Sequence, residues 1–193
     1  MTPRSSALRD ATIGEQPGLV EELTAHMIQS SDNSAADILW DWIGEKRVMQ
    51  VFEDLGMYWE GVNPAEDFLS LRDYVRLLRV LYNASYLDEA FSEKALRLLV
   101  NAEFSGGLVA GVPPGVPVAH KFGERTFKDK GVLQLHDCGI VYYPNGAYLI
   151  GVMTRGKDYA QLTEVIKGLS ALVYQEVDRQ YKSPGDGHIA VED

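Results

Sequence analysis

The chain has 193 residues, 46% of them hydrophobic and 24% charged, which is enough apolar side chain for one domain or two closely packed subdomains and too much for a disordered segment. Its 28 acidic against 18 basic residues give a formal net charge of -10, which argues against nucleic acid or an anionic membrane surface as partner, because both need clustered Lys and Arg. One cysteine, Cys138, excludes an internal disulfide, and no apolar run approaches the ~20 residues of a membrane span.

Residues 1–18 are polar and broken by Pro3, Gly14, Pro17 and Gly18, so they read as a poorly ordered lead-in without the apolar centre of a signal peptide. From Leu19, the apolar positions Leu19, Val20, Leu23, Met27 and Ile28 follow helical spacing up to Ser30. Ser31, Asp32 and Asn33 interrupt it, and Asp32 or Asn33 can cap a second helix that runs through Ile43. A third, from Glu45 to Leu55, stops at Gly56. Residues 58–68 read as a loop. Ser70 and Asp73 have capping-box spacing and open a helix carrying Tyr74, Leu77, Leu78 and Leu81; Ser92 is expected to begin another, with Leu96, Leu99 and Val100 inward.

Glycines and prolines between Gly106 and Pro117 then make a connecting segment, after which β-branched residues dominate. Val116 to Phe122, Leu133 to Tyr143 and Ala147 to Thr154 read as three strands, the last two joined by the turn Pro144-Asn145-Gly146. A long amphipathic helix from Asp158 to Tyr181 follows. Helices, then antiparallel strands, then a terminal helix predict an α+β fold. Its expected parts are a helical subdomain over 19–104, a sheet with its C-terminal helix over 105–182, and a flexible tail over 183–193.

Two short stretches carry the candidate chemistry. Ser31-Asp32-Asn33 sits between helices, and His120-Lys121-Phe122-Gly123-Glu124 lies on a predicted strand. Taken alone, the first is a helix cap and the second a solvated charge on an edge strand. Together they offer a hydroxyl on a short loop with a lysine able to tune its proton transfer. No serine in the chain has a lysine three residues later; Ser6 to Arg9 comes nearest, and a guanidinium cannot accept the proton. His136, Asp137 and Cys138 do not form a metal site, because on a strand His136 and Cys138 share a face that Asp137 opposes, leaving fewer ligands than zinc needs. His120 reads as packing, Cys138 as a buried thiol, and Trp40, Trp42 and Trp59 as core or cleft wall.

A Ser-Asp-Asn between helices followed by a Lys-x-Gly on a strand resembles the active-site elements of class A β-lactamases and related penicillin-binding serine hydrolases, whose set also contains Ser-x-x-Lys. The resemblance spans about Leu19 to Tyr181. It implies the family's helical subdomain with the C-terminal part of its sheet, an incomplete fold lacking two strands and the helix that bears the nucleophile. It gives Ser31 and Lys121 catalytic roles, Ser31 relaying a proton to the leaving nitrogen, and gives Asn33, Gly123 and the backbone N–H of Glu124 substrate contacts, the last as an oxyanion donor. No cofactor is implied. Phe122 replaces the family's Thr or Ser, and Glu60 and Glu66 are the only candidates for the family's deacylating glutamate.

The function so implied is acyl-serine chemistry on a β-lactam or peptide-like amide, in a chain without its own nucleophile; the alternative is a non-catalytic binding module that keeps the cleft. The resemblance also implies export. Its missing helix predicts an apolar trough against Ala35, Ile38 and Leu39, and with it self-association or a complementing N-terminal fragment.

Overall fold

A computed structural model describes residues 17–57 and 69–182. Most of the expected lead-in, the loop holding Trp59, Glu60 and Glu66, and the tail over 183–193 lie outside the described residues. Five helices come first: α1 (Pro17–Gln29), α2 (Asn33–Ile43), α3 (Glu45–Asp54), α4 (Leu71–Tyr82) and α5 (Glu89–Val100). A short 3-10 turn at Val109–Gly111 leads into β1 (Val118–Phe127), β2 (Val132–Val141) and β3 (Tyr148–Gly156), and α6 (Tyr159–Lys182) closes the chain. The strands form one antiparallel sheet in the order β1-β2-β3, so the architecture is the expected α+β.

Local chemistry sets the boundaries. Proline is accepted in a first helical turn, where its missing N–H has no partner to lose, so α1 starts at Pro17. Gly44, at φ 83°, ends α2 and starts α3 in a backbone region that favours glycine. The Ser70 hydroxyl accepts the Asp73 N–H, as the capping-box spacing predicts. The start of α5 differs from expectation: Asp88 caps it by accepting from the Phe91 N–H, and Ser92 lies buried one turn inside. Aspartate there is as good a cap as serine, and the helix begins at the first acceptor available. β1 starts two residues later than expected, past Pro117, and runs on to Phe127.

Register determines what each face carries. Lys121 stands opposite Cys138 and Cys138 opposite Gly151, whereas Phe122, Asp137 and Val152 form the neighbouring row on the other face. The Phe122 face packs under α6, with Leu108, Val118, Ile150 and Ile166 in its core. The Lys121 face meets the helices through Leu78, Leu99, Ala119, Cys138 and Ile140. Cys138 is fully buried, as read from the sequence. The expected trough against α2 is not there: Ala35, Ile38 and Leu39 are 3%, 5% and 5% exposed and pack with Leu23 of α1. Packing of α1 through Leu19, Val20, Leu23 and Met27 covers the face that the absent helix was expected to cover. Other large apolar side chains are exposed, among them Trp40, Trp42 and Ile43 at the end of α2, Phe91 on α5 and Leu172 on α6.

Gly111 fixes α6 in place. A Cβ there would lie 2.5 Å from the Lys167 carbonyl oxygen and 2.8 Å from the Ala171 nitrogen, both backbone atoms that cannot swing aside. Gly111→Ala is therefore expected to destabilise the fold by about 1 to 3 kcal/mol in urea denaturation. Gly168→Ala, on the same helix with open space around it, is expected to stabilise by up to about 1 kcal/mol.

Candidate active site

Between α1 and α2 the chain turns within three residues. Ser31 takes φ 54°, an uncommon left-handed conformation for a residue with a side chain. Two anchors hold it: the Asp32 carboxylate accepts the Ser34 and Ala35 N–H groups at 2.8 and 3.3 Å, and the Asp32 N–H reaches back to the His26 carbonyl. Next door, Glu103 donates its N–H to the Gln29 carbonyl and accepts the Ser30 hydroxyl at 2.9 Å. The loop is thus tied both to its own helices and to the segment after α5.

Lys121 reaches this loop from β1. Its Nζ donates to Ser31 Oγ at 2.7 Å and to the Phe122 carbonyl at 2.8 Å, and lies 4.6 Å from the Phe122 ring centroid. Phe122 is fixed by stacking on Phe104, with ring centroids 4.5 Å apart. Burial pushes the Lys121 ammonium down to about 8, against the opposing pull of Asp137. An amine in that range exchanges protons close to neutrality, which an ordinary lysine does not.

The other predicted residues occupy different places. Asn33 is exposed at the first position of α2. Gly123 lies opposite His136, whose ring fills the space a Cβ would need. Glu124 is exposed, and with Gly123, Arg125, His136 and Tyr74 it lines a cleft of about 550 Å³.

Three residues of this region were given no role by the sequence. His136 packs edge-on against Tyr74, and burial, then the Lys121 charge, holds its imidazole below the usual value. Tyr74, expected only in the core, directs its hydroxyl toward the Lys121 carbonyl at 3.5 Å. Asp137 is fully buried on the opposite face, where it accepts the Leu108 N–H at 2.9 Å and lies 2.7 Å from His120 Nδ1. His120 therefore has a specific polar partner as well as packing. The signal for these pairings was the β1–β2 register, which becomes countable only once β1 is extended to Phe127.

The lowered lysine has a sign that can be tested. Between about 8 and 10.5 the unfolded chain keeps the Lys121 proton that the folded chain has lost, so stability rises with pH across that window. Lys121→Met lacks this titration, and its stability advantage over the parent is expected to shrink as pH rises through about 8, followed by urea midpoints in a pH series.

Comparison with known proteins agrees with the geometry. A family model described as "Beta-lactamase enzyme family" matches residues 2–177. The extended-spectrum β-lactamase PER-1 of Pseudomonas aeruginosa is 23% identical over 170 residues, covering 81% of this chain and 55% of that protein. The solved structure of PBP-A is 25% identical at a TM-score of 0.69, over 83% of this chain and 62% of its own. A class A β-lactamase from Bacteroides cellulosilyticus reaches a TM-score of 0.71 at 23% identity, over 82% and 63%. The chain thus spans between about half and two thirds of the length of these relatives. A family match over nearly the whole chain, on a fold shared with these structures, makes this chain a member of the β-lactamase and penicillin-binding serine hydrolase family.

Proposed function

We propose that Ser31 and Lys121 are the proton-relay half of an acyl-serine site, acting on a β-lactam or peptide-like amide, and that the attacking serine comes from a segment other than this chain's described residues. The observation that carries the reading is the 2.7 Å bond from Lys121 Nζ to Ser31 Oγ. With the ammonium donating to Ser31 Oγ, the Ser31 hydroxyl keeps its own proton for another acceptor. In the acylation step the attacking serine gives its proton to a base supplied with it from that other segment, its oxygen bonds to the carbonyl carbon, the carbon–nitrogen bond breaks, and the departing nitrogen takes the Ser31 proton. Lys121, held at about 8, returns a proton to Ser31. Asn33 would bind the amide side chain of the substrate, and the Glu124 N–H would donate to the developing oxyanion. A variant of PBP-A solved as an acyl-enzyme with penicillin G is among the structural relatives, at 25% identity, which favours the same substrate class here. Family members of this kind are exported, and we extend that to this protein.

Phe122 favours a second reading. It stands where the family carries a hydroxyl, and its ring is committed to Phe104, so an anionic ligand would be held by Lys121 alone at that point. A binding module that keeps the cleft without turnover fits those facts. Both readings expect this chain to bind penicillin G reversibly, with no mass increase in intact-protein mass spectrometry, and Lys121→Ala to weaken binding on the order of tenfold. A stoichiometric adduct on any serine would overturn the absence of a nucleophile. Binding unchanged in Lys121→Ala would overturn the site.

A further inference from the structure

Ser31 and Lys121 form a pair with a second chemical capacity besides relaying a proton. A serine hydroxyl becomes a nucleophile when a base lies within hydrogen-bond reach, and lysine is one of the bases that serve. Here Lys121 Nζ lies 2.7 Å from Ser31 Oγ. The amine also donates to the Phe122 carbonyl at 2.8 Å. A neutral amine carries two hydrogens and one lone pair, so it can keep that carbonyl while its lone pair turns to the Ser31 hydroxyl.

The surroundings favour attack by that hydroxyl. Ser31 takes φ 54° on the short turn between α1 and α2, a strained backbone position of the kind that clusters at reactive sites. The turn is braced on both sides, by the Asp32 cap on α2 and by Glu103 on Ser30 and the Gln29 carbonyl, so the side chain rides on a fixed backbone. Ser31 and Lys121 are both half-buried, within reach of a small molecule and partly out of water. With Lys121 at about 8, roughly nine tenths of it is neutral at pH 9, against a few per cent of an ordinary lysine.

We propose that Ser31 is itself a nucleophile toward small activated esters, with Lys121 as its base, and that the two form an acyl-Ser31 ester. Neutral Lys121 takes the Ser31 proton and Oγ bonds to the ester carbonyl carbon. The bond from that carbon to the leaving oxygen then breaks, an aryl oxide departs with the electron pair, and the Lys121 ammonium returns its proton to solvent. The leaving group limits the reaction. An aryl oxide departs without a proton, whereas the nitrogen of an amide or a β-lactam needs one. In the acyl-serine reading that proton is Ser31's own, and Ser31 cannot donate it and attack in the same step. The expected lack of a penicillin G adduct therefore stands.

A pH profile of this reaction would report Lys121. Among the described residues, the titratable groups facing it are Tyr74 from α4, His136 and Cys138 from β2, and Asp137 across the sheet, while Glu103 faces the loop through Ser30. Burial raises the Tyr74 phenol, pushes the Cys138 thiol up to about 12 and lowers the His136 imidazole, so none of these three titrates beside Lys121. The step needs only two residues of this chain in contact with each other, whatever serine another segment brings.

The full chain mixed with p-nitrophenyl acetate at pH 9 is expected to release one nitrophenolate per chain in a phase faster than acetylation of its surface amines. Peptide mapping is expected to place that acetyl on Ser31, as an ester that hydroxylamine removes, and the rate to rise with pH through a midpoint near 8. Ser31→Gly, which suits the left-handed φ, is expected to abolish the fast phase, and Lys121→Met to slow it at least ~100-fold. Absence of a fast phase in the parent overturns the proposal. So does a fast phase that persists in Ser31→Gly or keeps its rate in Lys121→Met. An acetyl found on Lys121 as an amide stable to hydroxylamine also overturns it, making the amine the nucleophile. Penicillin G binding is scored separately: acetylation of Ser31 without it upholds the dyad and removes the β-lactam reading, and binding without acetylation does the reverse.

Discussion

The carboxyl group of Asp137 is the point through which the sheet, the connecting segment and the lysine are related. It has no access to water, and it is satisfied from two directions, by the Leu108 N–H and by His120. Leaving a buried carboxyl half-paired is costly, so the segment around Leu108 is bound to the sheet wherever Asp137 is. Gly107 is required beside it, because a Cβ there would strike the carboxylate. That same segment seats Phe104 on Phe122 and Gly111 on α6. The face of the sheet without the cleft therefore fixes the strand register that the cleft face uses.

Register then decides the electrostatics. His120, Lys121 and Phe122 are consecutive, so anchoring the first and third on one face leaves the second on the other. Lys121 emerges into a half-buried setting with a hydroxyl and a carbonyl oxygen as acceptors. Among the described residues no carboxylate lies within hydrogen-bond range of it. Asp137, across the sheet, moderates the cost of burial without forming an ion pair with it. That intermediate arrangement is why its proton is held less firmly than a surface lysine holds one.

Helix and strand identities were legible because their signals are local. Apolar spacing, the Ser70 cap, the glycine at 44 and the Pro144-Asn145-Gly146 turn act within a few residues of where they are read. The pairing of Ser31 with Lys121 was legible only through resemblance, since the two are 90 residues apart and nothing in their neighbours specifies contact. The parts that escaped are those set by tertiary geometry. Ser92 looks like a cap in sequence, and Asp88 reached the helix first. That His136 sits over Gly123 is set by the strand pairing and not by any neighbour of either residue. The apolar face of α2 looked exposed because its cover, Leu23 on α1, comes from a helix that returns upon it.

The distance in sequence between the two halves of the site bears on when it forms. The sheet is a meander whose hairpins close through short connections, such as the turn in which the Gly146 N–H reaches the Tyr143 carbonyl. Such contacts cost little chain entropy. The Ser31 to Lys121 bond closes a loop of 90 residues, and Ser30 to Glu103 one of 73. Joining the α1–α2 loop to the sheet thus carries a larger chain-entropy cost than closing the hairpins. Substitutions at the loop would then accelerate unfolding while leaving the folding rate nearly unchanged. The amides around Ser31 would exchange with solvent through an opening that the strands do not share.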